Sequence, residues 1–382
     1  MDKVKSHTKS AAIPKNGSKK SDSHRNVRQK NVRRIIIFIL VFVTIFVAFF
    51  DNFCYLLRPV TGDRKAIVGY YAENDNSIDM VYIGASTVYR YWSPMHAWEK
   101  SGLTSYSFAG TGMPATMNKP MLDEAFKTQS PKLVIIDLYS YVARNNNKAY
   151  YPVHIERISS SLNYSKNRNE IIDNTARYEL PDLTEEQIKN FKQDIRMYYE
   201  RLFDLDTKSF GYATNHVPDD YKGFRFFASR QALEAPDFNV SNTKGRAEIS
   251  DSTKTMLDDV MDYSKKNDVK ILFVMSPLWI TETHKRILNS IEDYVTQRGF
   301  EFIDMCERYA EIGIDFRTDY YNEDHVNILG AEKYTAYLVD YLKANYDFSD
   351  HRGEDTYHEW NDSYDKYSSK VEETKFKLKD LE

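Results

Sequence analysis

Two residues far apart in the chain, Ser86 and His325, are of the types that together carry out nucleophilic catalysis. A serine hydroxyl is a weak nucleophile near neutral pH and needs a base to take its proton. An imidazole titrates in the right range to be that base. Ser86 closes the run Asp79-Met80-Val81-Tyr82-Ile83-Gly84-Ala85-Ser86, an apolar stretch that stops at small residues. Such a run reads as a buried strand ending in a tight turn. In an open α/β sheet, the turn at a strand's carboxyl end faces the ligand crevice. His325 falls between the last expected main strand and the last amphipathic helix, and so belongs to the same edge. Each residue also has a plainer reading: a serine after a strand is commonly a turn or helix cap, and a lone histidine is commonly a surface or core residue.

The elements that must position this pair follow from the apolar patterning. Strands are expected at 79–86, 104–108, 133–138, 269–277 and 300–304, with a turn into a helix over 92–102 and helices at 114–127, 253–266, 281–297 and 330–346 between or after them. Strands alternating with helices imply an α/β fold with a parallel sheet covered on both faces, a three-layer α/β/α arrangement of flavodoxin-like type. Residues 143–250 lose the alternation. They read as an insertion over the sheet edge, with one good helix at 185–202. Residues 349–382 are charged with scattered aromatics and read as a strap or tail.

The amino terminus sets the compartment. Residues 1–34 hold eleven Lys and Arg against two Asp, a net charge of +9, which leaves −13 for the remainder of a chain whose overall charge is −4. An acidic body argues against nucleic acid as a partner. The basic tail has almost no apolar residues and is expected to be disordered. Residues 35–50 then carry no charge, roughly 24 Å of helix, and the apolar residues to position 57 extend it toward the ~30 Å core of a bilayer. A cleaved signal peptide would need a small-residue site that does not follow cleanly, and a buried core helix would not ordinarily follow a basic cluster. The expectation is a single-span anchor at 35–57. The tail would then lie in the cytoplasm and residues 58–348 would form an extracellular domain. The two cysteines, Cys54 and Cys306, form no metal-binding or disulfide pattern, and no metal or cofactor is expected.

Three stretches bear a family resemblance. Ile83-Gly84-Ala85-Ser86, Gly110 after the next strand, and Asp324-His325-Val326-Asn327-Ile328-Leu329-Gly330-Ala331 resemble the SGNH/GDSL hydrolase superfamily. The similarity is greatest to its membrane-anchored bacterial members, related to proteins of teichoic-acid D-alanylation and exopolysaccharide O-acetylation, and covers most of residues 75–350. The resemblance implies Ser86 as nucleophile, His325 as base, and the N–H groups of Ser86 and Gly110 as oxyanion donors. It implies an acyltransferase or esterase acting on a cell-envelope polysaccharide or teichoic acid, with a membrane-bound O-acyltransferase as a candidate partner. Two positions depart from the family pattern. The acid expected three residues before the histidine is Asn322, with Asp319, Glu323 and Asp324 as candidate substitutes. The asparagine expected after the third strand is replaced by Leu138-Tyr139-Ser140-Tyr141, with Asn145 as a distant stand-in. These departures motivate an alternative: a non-catalytic envelope-binding or assembly module with a degenerate site.

Other residues have bland readings beside sharper ones. Asn327 suits a helix cap as well as substrate positioning. Ser276 ends a strand at the same edge. His154, Arg157, Lys222 and Arg225 suit either a solvated surface or contact with an anionic polymer.

Overall fold

A computed structural model describes residues 18–146 and 149–379, with the side chains of 18–27 and 51–52 excepted. The chain divides into two compact units, Met1–Cys54 and Tyr55–Glu382. The first contains most of one helix, Ser18–Leu56, whose part Arg28–Leu56 is long and apolar enough to cross a membrane as an anchor or a signal sequence. The helix includes residues 18–34, for which composition predicts no fixed structure. Once an apolar run has nucleated a helix, each further residue adds a hydrogen bond, and Lys, Arg and Gln are good helix formers. The expectation of disorder for residues 1–17 lies outside the described residues.

The second unit is an α/β domain. Five strands, β1 (Met80–Gly84), β2 (Ser105–Ala109), β3 (Leu133–Asp137), β4 (Ile271–Met275) and β5 (Glu301–Asp304), form one parallel sheet in the order β2-β1-β3-β4-β5. β1 to β4 are buried throughout, as strands covered on both faces must be, which explains their unbroken apolar character. Because all five run the same way, the residues after Gly84, Ala109, Asp137 and Met275 gather at one edge. The helix Ile328–Asn345 packs back beside β1, with the Tyr334 hydroxyl 3.0 Å from that of Tyr82.

The insertion departs from expectation in one element. The helix expected over 185–202 is three pieces: Glu185–Lys192, Asp194–Tyr198 and a 3-10 turn Tyr199–Phe203. The break is at Gln193, whose backbone is extended. There the buried Arg168 guanidinium takes the Phe191 carbonyl, and Asp194 turns inward to pair with Arg58 and Arg168. Tertiary partners for a charged side chain thus override local helix propensity. The carboxyl-terminal segment is a helix, His358–Lys379, that buries Trp360, Tyr367, Val371 and Leu378. Trp360 packs on Trp98 of the helix Pro94–Ser101 at 5.3 Å between ring centroids.

A short antiparallel hairpin was not legible in the sequence. β6 (Tyr320–Asn322) pairs with β7 (His325–Val326), with Asn322 opposite His325. Asn327 then caps the final helix, its side chain accepting from Leu329 N–H at 2.9 Å. The cap pins the hairpin to the start of that helix and so fixes where His325 emerges.

Candidate active site

Ser86 is the first residue of a short helix, Ser86–Tyr91, that begins directly after β1 and Ala85. The approach to it requires glycine at position 84: a Cβ there would fall 2.6 Å from Cβ of Asp137 and 2.8 Å from Val88 Cγ2. As a first-turn amide, the Ser86 N–H has no acceptor within its own helix.

The hairpin brings His325 to this serine. His325 Nε2 lies 2.7 Å from Ser86 Oγ, and His325 Nδ1 lies 2.9 Å from Asn322 Oδ1. The same Oδ1 accepts the Asp324 N–H at 3.0 Å. That second donor determines which end of the amide faces the ring. With an oxygen toward Nδ1, the imidazole carries its proton on Nδ1 and presents a lone pair on Nε2 to the serine hydroxyl. Asn322 therefore selects the tautomer a base needs, without supplying charge.

Ring packing holds the imidazole from its face. Tyr321 stacks on His325 with centroids 5.3 Å apart and planes within 10°. Phe227, from the insertion, stacks on Tyr321 at 3.8 Å. The Arg90 guanidinium lies 4.8 Å from the Phe227 ring centre and 5.5 Å from that of Tyr321. It donates to the Arg225 and Phe226 carbonyls, and burial draws its pKa down from the usual arginine value. Arg90 is four residues after Ser86, one helical turn, a spacing that was visible in the sequence although its partners were not.

The remaining sequence candidates are placed as follows. Asp319 is buried and does not meet the histidine. Its carboxylate pairs with Lys333 at 2.7 Å and accepts the Asp315 N–H at 2.8 Å. The Asp324 carboxylate accepts from the Tyr139 hydroxyl at 2.8 Å, and burial together with that carboxylate raises the Tyr139 pKa. Gly110 follows β2 beside Ser86, but its N–H donates to the Gly84 carbonyl at 3.2 Å, continuing the sheet ladder by one bond. A Cβ at Gly110 would fall 1.8 Å from Ile158 Cδ1, so the insertion helix Pro152–Ser159 lies directly on this turn. Asn145 is used elsewhere, donating to the Glu248 carbonyl and accepting from Ser250 N–H. Lys222 and Arg225 are paired with Glu73 and Asp63.

The sequence reading missed Asp137. Fully buried at the end of β3, it accepts from Thr87 Oγ at 2.7 Å, Tyr139 N–H at 3.1 Å and Ser276 Oγ at 3.3 Å. It thereby ties together the turns after β1, β3 and β4. Burial pushes its carboxyl up to about 6 despite those donors. An acid closing an otherwise apolar strand, at the edge where ligands bind, was the signal available for it.

Two clefts lie near these elements. One of 260 Å³ is lined by Tyr139, Val142, Met275, Leu278, His284 and Asp324, on the Asp324 side of the hairpin. A larger one, 710 Å³, lies between the end of the carboxyl-terminal helix and Asp319 and Lys333; neither Ser86 nor His325 lines either cleft. The smaller cleft is the more relevant to the chemistry, because Asp324 and Tyr139 adjoin the pair's supporting residues.

The geometry defines an α/β domain that presents a serine hydroxyl to an oriented imidazole at the carboxyl edge of a parallel sheet. No protein-family model matches the chain, and no curated protein is similar enough to match it.

Proposed function

We propose that this protein is a membrane-anchored serine acyltransferase or esterase of SGNH/GDSL type, with a three-layer, flavodoxin-like domain, acting on acyl groups of a cell-envelope polysaccharide or teichoic acid. The Ser86–His325–Asn322 chain of hydrogen bonds carries the reading. The strand order is the flavodoxin-like one, with the serine at the β1 turn beside the β1/β3 switch point, where such sheets bind ligands. The basic residues before the apolar helix orient it with the tail in the cytoplasm and the domain outside.

In the first half-reaction, Ser86 Oγ attacks the acyl carbonyl as its proton passes to His325 Nε2. The Oγ–C bond forms and the carbonyl becomes an oxyanion facing the Ser86 N–H. His325 then returns its proton to the leaving oxygen, and an acyl-serine remains. A sugar hydroxyl or water, deprotonated by His325, attacks that ester and regenerates Ser86. Imidazolium forms transiently against the neutral Asn322 oxygen and the face of Tyr321. Transfer rather than hydrolysis suits a tethered enzyme, with a membrane-bound O-acyltransferase as the source of acyl groups.

A full-length preparation in detergent is the test. A fluorophosphonate should label wild-type protein at Ser86, whereas Ser86→Ala should not label and His325→Gln should label at least a hundredfold more slowly. Labelling that persists in Ser86→Ala, or none in wild type, sinks the proposal. With an acylated donor and an envelope polymer as acceptor, product on the polymer distinguishes transfer from hydrolysis.

Two observations favour a second reading, a non-catalytic binding module. The residue behind His325 is uncharged, and the Gly110 N–H is committed to Gly84. On that reading wild-type protein fails to label but retains the polymer on a pull-down.

A further inference from the structure

Among the described residues outside the apolar helix, nine large apolar side chains stand exposed, and four of them fall within the short segment 199–210. Phe203 is 94% exposed, Phe210 58%, Tyr199 55% and Leu202 38%. Two exposed phenylalanines with an exposed tyrosine and leucine beside them are an unusual surface for water to face.

What lies against them is indicated by how the segment is fastened. Just before it, Asp194 pairs with Arg58 at 2.5 Å, both groups fully buried. Just after it, Asn215 Oδ1 accepts from the Tyr55 hydroxyl at 3.4 Å. Tyr55 and Arg58 flank the end of the apolar helix, which closes at Leu56. The Tyr55 ring and Tyr164 both lie under the Arg58 guanidinium, at 4.2 and 4.7 Å. The Tyr164 hydroxyl also reaches Asp194. Both ends of 194–215 are therefore tied to the residues at which the chain would leave a bilayer, and each exposed side chain between them stands at most nine residues along the chain from one of those ties.

We infer that the segment 199–210 rests on the lipid bilayer, with Phe203 and Phe210 inserted at the headgroup–acyl boundary. This rests on the anchor reading of the apolar helix. Within the segment Arg201 and Lys208 stand against Glu200, Asp204 and Asp206, a net charge of −1. Attachment is accordingly by apolar insertion of aromatic rings, which favour the membrane interface, rather than by attraction to anionic lipid. A second contact beside the span restrains the domain's rotation over the membrane, which matters for an enzyme meeting a substrate at a fixed height.

The test uses full-length protein in phosphatidylcholine nanodiscs with and without lipid brominated near the headgroup end of its chains, and, for the probe at 46 in the middle of the span, lipid brominated near the chain ends. Single substitutions Phe203→Trp, Phe210→Trp, Phe376→Trp and Phe46→Trp are compared with wild type, whose own tryptophan emission is subtracted. The expected result is bromolipid quenching of the Phe203→Trp and Phe210→Trp probes at least threefold above that at Phe376→Trp, unchanged when phosphatidylglycerol replaces a third of the lipid. Quenching at 46 but no more at 203 and 210 than at 376 overturns the inference and leaves the anchor standing. No quenching at 46 removes the anchor and the inference together. Protection of the 203 probe from iodide without bromolipid quenching assigns the patch to a second copy or another protein, and also overturns it.

Discussion

The Tyr321 ring lies parallel to the imidazole of His325, 5.3 Å between centroids, beside a histidine whose Nδ1 meets the neutral amide of Asn322. Stacking of this kind contributes about 1 kcal/mol beyond burial. It fixes the ring plane and gives a transient imidazolium an electron-rich face. Tyr321→Leu should slow fluorophosphonate labelling of Ser86 by roughly fivefold, the rate equivalent of that energy. Tyr321→Phe, which keeps the ring, should remain near wild type. Equal rates for the leucine variant and wild type would show that the stack is packing alone.

Asn322→Asp should restore the missing charge. A carboxylate at hydrogen-bonding distance raises a histidine pKa by about 1–3 units. Labelling of Ser86, measured at a pH above the raised His325 pKa where the imidazole is neutral, should rise about tenfold or more, because the same charge stabilises imidazolium as it forms. The His325 titration, followed by NMR, should move up in parallel. Asn322→Ala removes the acceptor from both His325 Nδ1 and the Asp324 N–H, so it should lower the labelling rate below wild type. A faster alanine variant would mean the tautomer argument is mistaken.

Asp137 gives a pH signature with a definite sign. Its folded-state carboxyl is pushed from 3.8 up to about 6 by burial. The folded protein therefore binds this proton more tightly than the unfolded chain. The associated stabilisation is present below about pH 4 and is lost as pH rises through 6, for a total of roughly 3 kcal/mol. Asp137→Asn can accept from Thr87 and Tyr139 and donate to Ser276 without ionising. Denaturant unfolding at pH 4 and pH 7, which spans most of that range, should show the difference between the two pH values shifted by about 2 kcal/mol in the variant relative to wild type. Parallel pH profiles would rule out an ionising Asp137.

Gly110 is close-packed rather than merely flexible. Gly110→Ala should destabilise the fold by about 1–3 kcal/mol through overpacking against Ile158. Ile158→Val deletes the Cδ1 atom nearest the new methyl, so the double variant should melt above Gly110→Ala alone. Strictly additive losses would place the strain elsewhere.

The strands and the serine were legible because they depend on short-range pattern. Five apolar runs ending in small or polar residues specify buried parallel strands, and Gly84-Ala85-Ser86 specifies a tight turn at the end of one. The apolar run from Ile35 and the cap at Asn327 were legible for the same reason, since a helix span and a helix cap are each written in adjacent residues. Which groups support the serine was not legible. The resemblance put Asn322 behind His325 and left Asp319, Glu323 and Asp324 as candidate substitutes, and only the tertiary structure, with Asn322 opposite His325 and Asp319 turned to Lys333, separates the first two. The Phe227–Tyr321–His325 stack joins the insertion to the hairpin across nearly a hundred residues, and the Asp137 staple links turns from three strands. Such contacts depend on where separate elements come to rest, and no local periodicity encodes that. Sequence alone thus determined that a hydroxyl and an imidazole share the sheet's carboxyl edge; tertiary packing decided that they touch, and that a neutral amide and a tyrosine face stand where a carboxylate was expected.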